Sequence, residues 1–110
     1  MTIYHIVLFK FKSLVPLEEV QAACDRMLAL KTNCKHPETS EEYVKTSIGG
    51  VNNSPENATN GISHAFISQF DSEEDRTYYL EKDPAHLSFV KSVGEIVDKV
   101  QVIDFTPGVF

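Results

Sequence analysis

The sequence predicts an α+β fold: a four-stranded antiparallel sheet interleaved with helices in a split βαβ order. Three observations predict it. Apolar residues recur with a period of two in some stretches and near 3.6 in others, and the stretches alternate along the chain. Asp83-Pro84-Ala85-His86 joins a strong N-cap residue to a proline at the first helical position, which starts a helix late in the chain. Ile3 to Lys12 is apolar on both faces over most of its length, so a strand there needs cover on two sides.

The elements follow in order. Ile3–Lys12 is the first strand, with Ile3, His5, Val7, Phe9 and Phe11 on one face and Tyr4, Ile6 and Leu8 on the other. Pro16 opens a helix to about Lys31, in which Leu17, Val20, Cys24, Met27 and Leu28 follow helical spacing and Glu18 and Glu19 suit the positive end of the dipole. Tyr43–Ile48 is a second strand, ended by Gly49-Gly50. The Asn-, Ser- and Gly-rich run from Asn52 to Gly61 is a loop. Ile62–Phe70 is the third strand, with His64, Phe66, Ser68 and Phe70 sharing a face. Ser72 caps a short helix carrying Glu73, Glu74 and Asp75 in its first turn. Asp83-Pro84 starts the last helix, read to about Lys99, and Val100–Phe105 is the fourth strand. The order β-α-β-β-α-α-β is a ferredoxin-like layout with helices on one face of the sheet.

Composition bounds the function. A chain of 110 residues, 42% hydrophobic with seven phenylalanines, is one domain over residues 1–110 with enough apolar surface for a core. A net charge of −6 without a basic stripe gives no support to nucleic acid or an anionic membrane as partner. The first ten residues lack the basic start and cleavage site of a secretion signal, and no run is long enough to span a bilayer. Cys24 and Cys34 have no metal-ligand spacing. The reading is a cytoplasmic protein that uses no metal and no cofactor; phosphate-loop and dinucleotide fingerprints are absent.

His86 falls in the first turn of the last helix, and Phe89, Val90, Val93 and Val97 follow it on one face. The helix dipole and burial both favour neutral imidazole there, which can accept a proton or serve as a packed side chain.

Several stretches resemble one family. Tyr4-His5-Ile6-Val7-Leu8-Phe9-Lys10-Phe11-Lys12, Ser63-His64-Ala65-Phe66, the Asp83-Pro84-Ala85-His86 turn and Ile103-Asp104-Phe105 are similar, in order and spacing, to the stress-responsive dimeric α/β-barrel (Dabb) domain, including its polyketide cyclases of the olivetolic acid cyclase type. The resemblance implies a homodimer whose subunits pack sheet against sheet, which accounts for the doubly apolar first strand. It also implies a pocket with His86 as catalytic acid–base, His5 and His64 as pocket histidines, and a tyrosine six residues before the catalytic histidine. That place is Leu80 here and Tyr79 stands one residue earlier, so a one-residue insertion in the turn would make Tyr79 the hydroxyl donor. Phe9, Phe66 and Phe89 are expected to wall the pocket. The expected chemistry is cofactor-free cyclase, lyase or isomerase acid–base catalysis on a hydrophobic, carbonyl-bearing small molecule, the alternative being a non-catalytic stress-response dimer whose interior is filled by its own side chains.

Overall fold

The structure is a computed structural model that describes residues 1–110. In chain order it contains β1 (Ile3–Phe11), α1 (Leu17–Asn33), β2 (Thr46–Val51), β3 (His64–Phe70), α2 (Glu73–Glu81), α3 (Pro84–Val93) and β4 (Val97–Phe105). The strands form one sheet in the order β2-β3-β1-β4, every neighbouring pair antiparallel. This is the expected ferredoxin-like α+β architecture.

The helices cover the odd-numbered face of β1. Ile3, His5, Val7, Phe9 and Phe11 are buried there, as are Phe66, Ser68 and Phe70 of β3. Val20, Ala23, Met27 and Leu30 of α1 and Phe89 and Val93 of α3 close on them. Both capping signals act as read. Ser72 Oγ accepts the Asp75 N–H at 3.1 Å, and Asp83 Oδ1 accepts the Ala85 N–H at 2.9 Å with Pro84 in the first turn.

Three elements, the second strand, the last helix and the fourth strand, differ from the sequence expectation. The second strand is not Tyr43–Ile48 but Thr46–Val51, so Gly49-Gly50 lies within it. Tyr43 and Val44 are buried as irregular chain under the sheet edge, a position whose apolar character imitates a strand. Gly49 pairs with Phe66, and a Cβ at Gly49 would overlap the Phe66 ring and crowd the Ala65 carbonyl. The glycine is there because the ring lies across it. The last helix also stops at Val93 instead of running to about Lys99. Gly94 follows it, and the Lys12 N–H bonds the Ile96 carbonyl at 2.9 Å, drawing the chain into line with β1. β4 therefore starts at Val97 and matches β1 in length, with a bulge opposite Lys10 and Phe11.

The even face of the sheet carries no helix. Tyr4, Ile6, Leu8, Ala65, Ile67, Ile103 and Phe105 lie on it, and Tyr4 stacks on Phe105 at 5.4 Å between ring centroids.

Candidate functional site

A cavity of about 420 Å³ lies between the β4 side of the sheet and α3, within the range usual for small-molecule sites, roughly 300–1,000 Å³. Its walls are mostly aliphatic. Val7 and Phe9 come from β1, Val100 and Val102 from β4, and Phe89, Val90 and Val93 from α3, with Leu80, Met27 and Val97 completing them. The stripe predicted below His86 does face this space, although Val97 reaches it from a strand. Three polar side chains converge at one end: His5, His86 and Asp104. Asp98 lies at the other, paired with Lys10 at 3.3 Å.

His86 is placed by the Asp83-Pro84 cap, and its ring stacks on Tyr79 with centroids 3.9 Å apart. Its Nδ1 is buried and has no hydrogen-bond partner. Burial holds the imidazole below the ordinary histidine range, and the neighbouring His5 pushes the same way. The Tyr79 carbonyl and the Asp83 carboxylate oppose them without reversing the shift. His86 is thus a neutral base at physiological pH.

His5 is 2% exposed. It stands opposite Asp104 in the β1–β4 ladder, and its Nδ1 lies 2.6 Å from Asp104 Oδ1. A carboxylate only accepts, so Nδ1 carries the proton and Nε2 is the atom left for the cavity. The second Asp104 oxygen accepts from Arg76 Nη1 of α2 at 3.2 Å. His5, Asp104 and Arg76 therefore form a chain leading from the cavity wall to the surface.

The other sequence candidates are placed as follows. Phe9 and Phe89 line the cavity; Phe66 is buried deeper, against Phe9 at 5.8 Å, and does not. His64 shares the helix-side face with His5 but sits opposite Phe9, at the far end of β1. There it packs edge-on to Phe11 at 5.0 Å and bonds the Ser63 hydroxyl at 2.8 Å, outside the cavity. Tyr79 is fully buried behind His86. Its hydroxyl is sealed from solvent, with Ser68, Cys34 and Asp83 as polar neighbours, and burial pushes its pKa up. Leu80, not Tyr79, turns to the cavity, so the structure stacks the tyrosine under the histidine and sets an aliphatic chain in the wall.

Sequence reasoning missed the roles of Asp104 and Arg76. Asp104 stands in the sequence within the Ile103-Asp104-Phe105 match, but nothing near it names its partner, which lies 99 residues away. No group of His, Cys, Asp and Glu side chains in the structure is arranged to hold a metal ion. No helix is long and apolar enough to cross a membrane.

Residues 3–107 match the family model described as the stress responsive A/B barrel domain. No curated protein matches the sequence. Among solved structures, the Arabidopsis thaliana protein At3g17210 is 30% identical, with 98% of this chain and 97% of that chain covered and a TM-score of 0.84. The hydroxynitrile lyase of Passiflora edulis is 22% identical, covering 99% and 96%, also at 0.84. A dimeric ferredoxin-like protein of unknown function from Bacteroides fragilis is 24% identical, covering 94% of each chain, at 0.66. The last two likenesses show the fold.

Proposed function

The chain belongs to the stress responsive A/B barrel domain family, and on that premise we propose that it is a homodimer, paired through the helix-free sheet face, that binds a hydrophobic carbonyl-bearing small molecule beside His86. The reaction proposed is cofactor-free proton transfer leading to cyclisation, isomerisation or elimination. The observation that carries the reading is a neutral imidazole at the polar end of an otherwise aliphatic cavity of about 420 Å³. An apolar wall desolvates the bound carbonyl compound and strengthens every polar contact made to it. The neutral His86 then removes a proton from the carbon beside the carbonyl. Tyr79 fixes the plane of the His86 ring by stacking, a positioning role that suits its sealed hydroxyl.

The space beside His86, about 420 Å³, supports this reading over that of a non-catalytic dimer filled by its own side chains. Dimeric structures of the same fold, including the Bacteroides fragilis protein, support the pairing. That one structure of this fold is a hydroxynitrile lyase fits acid–base chemistry in such a cavity.

The test uses 2-octanone as probe. Binding is followed through amide shifts of Val90, Val93, Val100 and Val102, and turnover through deuterium uptake from D2O at the carbons beside the carbonyl. The wild-type protein is expected to bind the ketone and exchange its protons. His86→Gln should bind it and lose roughly a hundredfold or more of the exchange. A His86→Gln protein that exchanges as fast as wild type overturns the assignment.

A further inference from the structure

Gly94 follows α3 without either of the usual reasons for a glycine at a helix end. Its backbone is right-handed, with φ −57° and ψ −32°, so it needs no positive φ. Nothing approaches it closely either. Beyond its chain neighbours, a Cβ there would meet only the Lys91 and Val90 carbonyl oxygens of its own turn, at 3.7 and 3.8 Å, which are ordinary van der Waals distances. Alanine would fit, and it would lose less chain entropy on folding. What sets the position apart is that Gly94 lines the cavity.

Helix phase says where a side chain at this position would go. His86, Val90 and Gly94 are spaced four apart, and Phe89 and Val93 fill the same stripe, all of it cavity wall. A helical side chain leans toward the N-terminal turn. One added at Gly94 would therefore lie back toward Val90, across space that is now open. Val90 of α3 and Val100 of β4 are 48% and 56% exposed, so the slot between these elements opens to solvent. Gly94 lies eight residues beyond His86, about 12 Å along the helix axis. A zigzag chain of carbon–carbon bonds near 1.5 Å needs roughly ten carbons to span that length. Val93, Val97 and Val100 give it an aliphatic wall.

Resting on the ligand reading of this cavity, we propose that Gly94 is a specificity-determining residue: by leaving the slot open it admits a carbonyl compound with a long unbranched alkyl tail. The carbonyl lies at His86 and the tail runs along α3 and out past Gly94. A larger residue at this position would shorten the space and favour compact ligands.

The test measures binding of 2-pentanone, 2-octanone and 2-decanone to the full-length protein. Amide shifts of Val7 and Val102 follow it in the wild type and in Gly94→Ala, Gly94→Leu and Lys91→Leu. The wild-type protein is expected to bind 2-decanone at least tenfold more tightly than 2-pentanone, because each methylene taken out of water adds affinity. Gly94→Leu should weaken 2-decanone roughly tenfold or more and leave 2-pentanone within about twofold, since only the longer tail needs the space that the added side chain takes. Gly94→Ala should fall between the two proteins and unfold at the same temperature or higher. Lys91→Leu adds an apolar side chain on an exposed position of α3 outside the cavity wall and should leave the series as in wild type. The proposal is overturned if Gly94→Leu keeps the wild-type preference for 2-decanone, if it weakens all three ketones equally, or if Gly94→Ala unfolds at a lower temperature, which would give the glycine a structural reason. A wild-type protein that binds none of the three ketones would remove the ligand reading itself, and this inference with it. The two failures are distinguishable, because only the second is seen without any substitution.

Discussion

Asp83 is 1% exposed and its two oxygens are both committed. Oδ1 caps α3 through the Ala85 N–H, and Oδ2 accepts the Tyr43 hydroxyl. The Cys34 thiol nearby is pushed up to about 12, by burial first and then by the Asp83 carboxylate, which keeps it an inert core side chain. Asp83→Ala should cost about 2–4 kcal/mol, combining a lost cap with a stranded buried hydroxyl, and Asp83→Asn should recover part of that in urea unfolding. The histidines make a second prediction. Burial pushes His64 and His86 below their ordinary value of 6.5. The unfolded chain therefore takes up protons first, so their contribution is fully present above 6.5 and is lost as pH falls through the lowered folded values. Urea midpoints should be lower at pH 5.5 than at pH 7.5, and His86→Phe should flatten part of that slope.

At the scale of elements, side-chain phase decides what each helix and strand offers. Tyr79 and Leu80 are neighbours on α2, about 100° apart around its axis, so one meets the core and the other the cavity. The Tyr79 position under His86 follows from which face α2 turns to β3, and the chain's local pattern does not contain that choice. β2 shows the same dependence. Gly49 and Gly50 read locally as a stop, yet Gly49 is a strand residue because Phe66 crosses it. Gly49→Ala should therefore destabilise by about 1–3 kcal/mol, the range for forcing extra atoms into a packed site. Thermal unfolding checks this, and Gly50→Ala, with open space around the added atom, should cost less.

For the whole molecule the governing feature is a sheet with helices on one side only. Ile103 and Phe105 remain 47% and 45% exposed, and Ile6, Leu8 and Ile67 continue the same apolar surface. Such a continuous patch favours association, and a two-fold pair is the symmetric way to cover it. Ile67→Lys should yield a folded monomer in sedimentation velocity, because a charge buried there would have no partner. A wild-type protein that sediments as a monomer at micromolar concentration would sink the sheet-to-sheet pairing. A lysine variant that still sediments as a dimer would place the contact elsewhere.

The sequence by itself determined the order of elements, both helix caps, the helix-side stripe below His86 and the second apolar face of β1. Each of these is carried by residues close together in the chain, where the period of apolar positions and the chemistry of one turn suffice. Only the tertiary structure decided that His5 is bound to Asp104, that Arg76 supports the carboxylate from α2, that His64 stands apart, and that Leu80 displaces Tyr79 from the cavity wall. Those facts depend on the register between β1 and β4 and on the rotation of α2 against the sheet. Both are set by packing between segments far apart in sequence, to which local periodicity is blind.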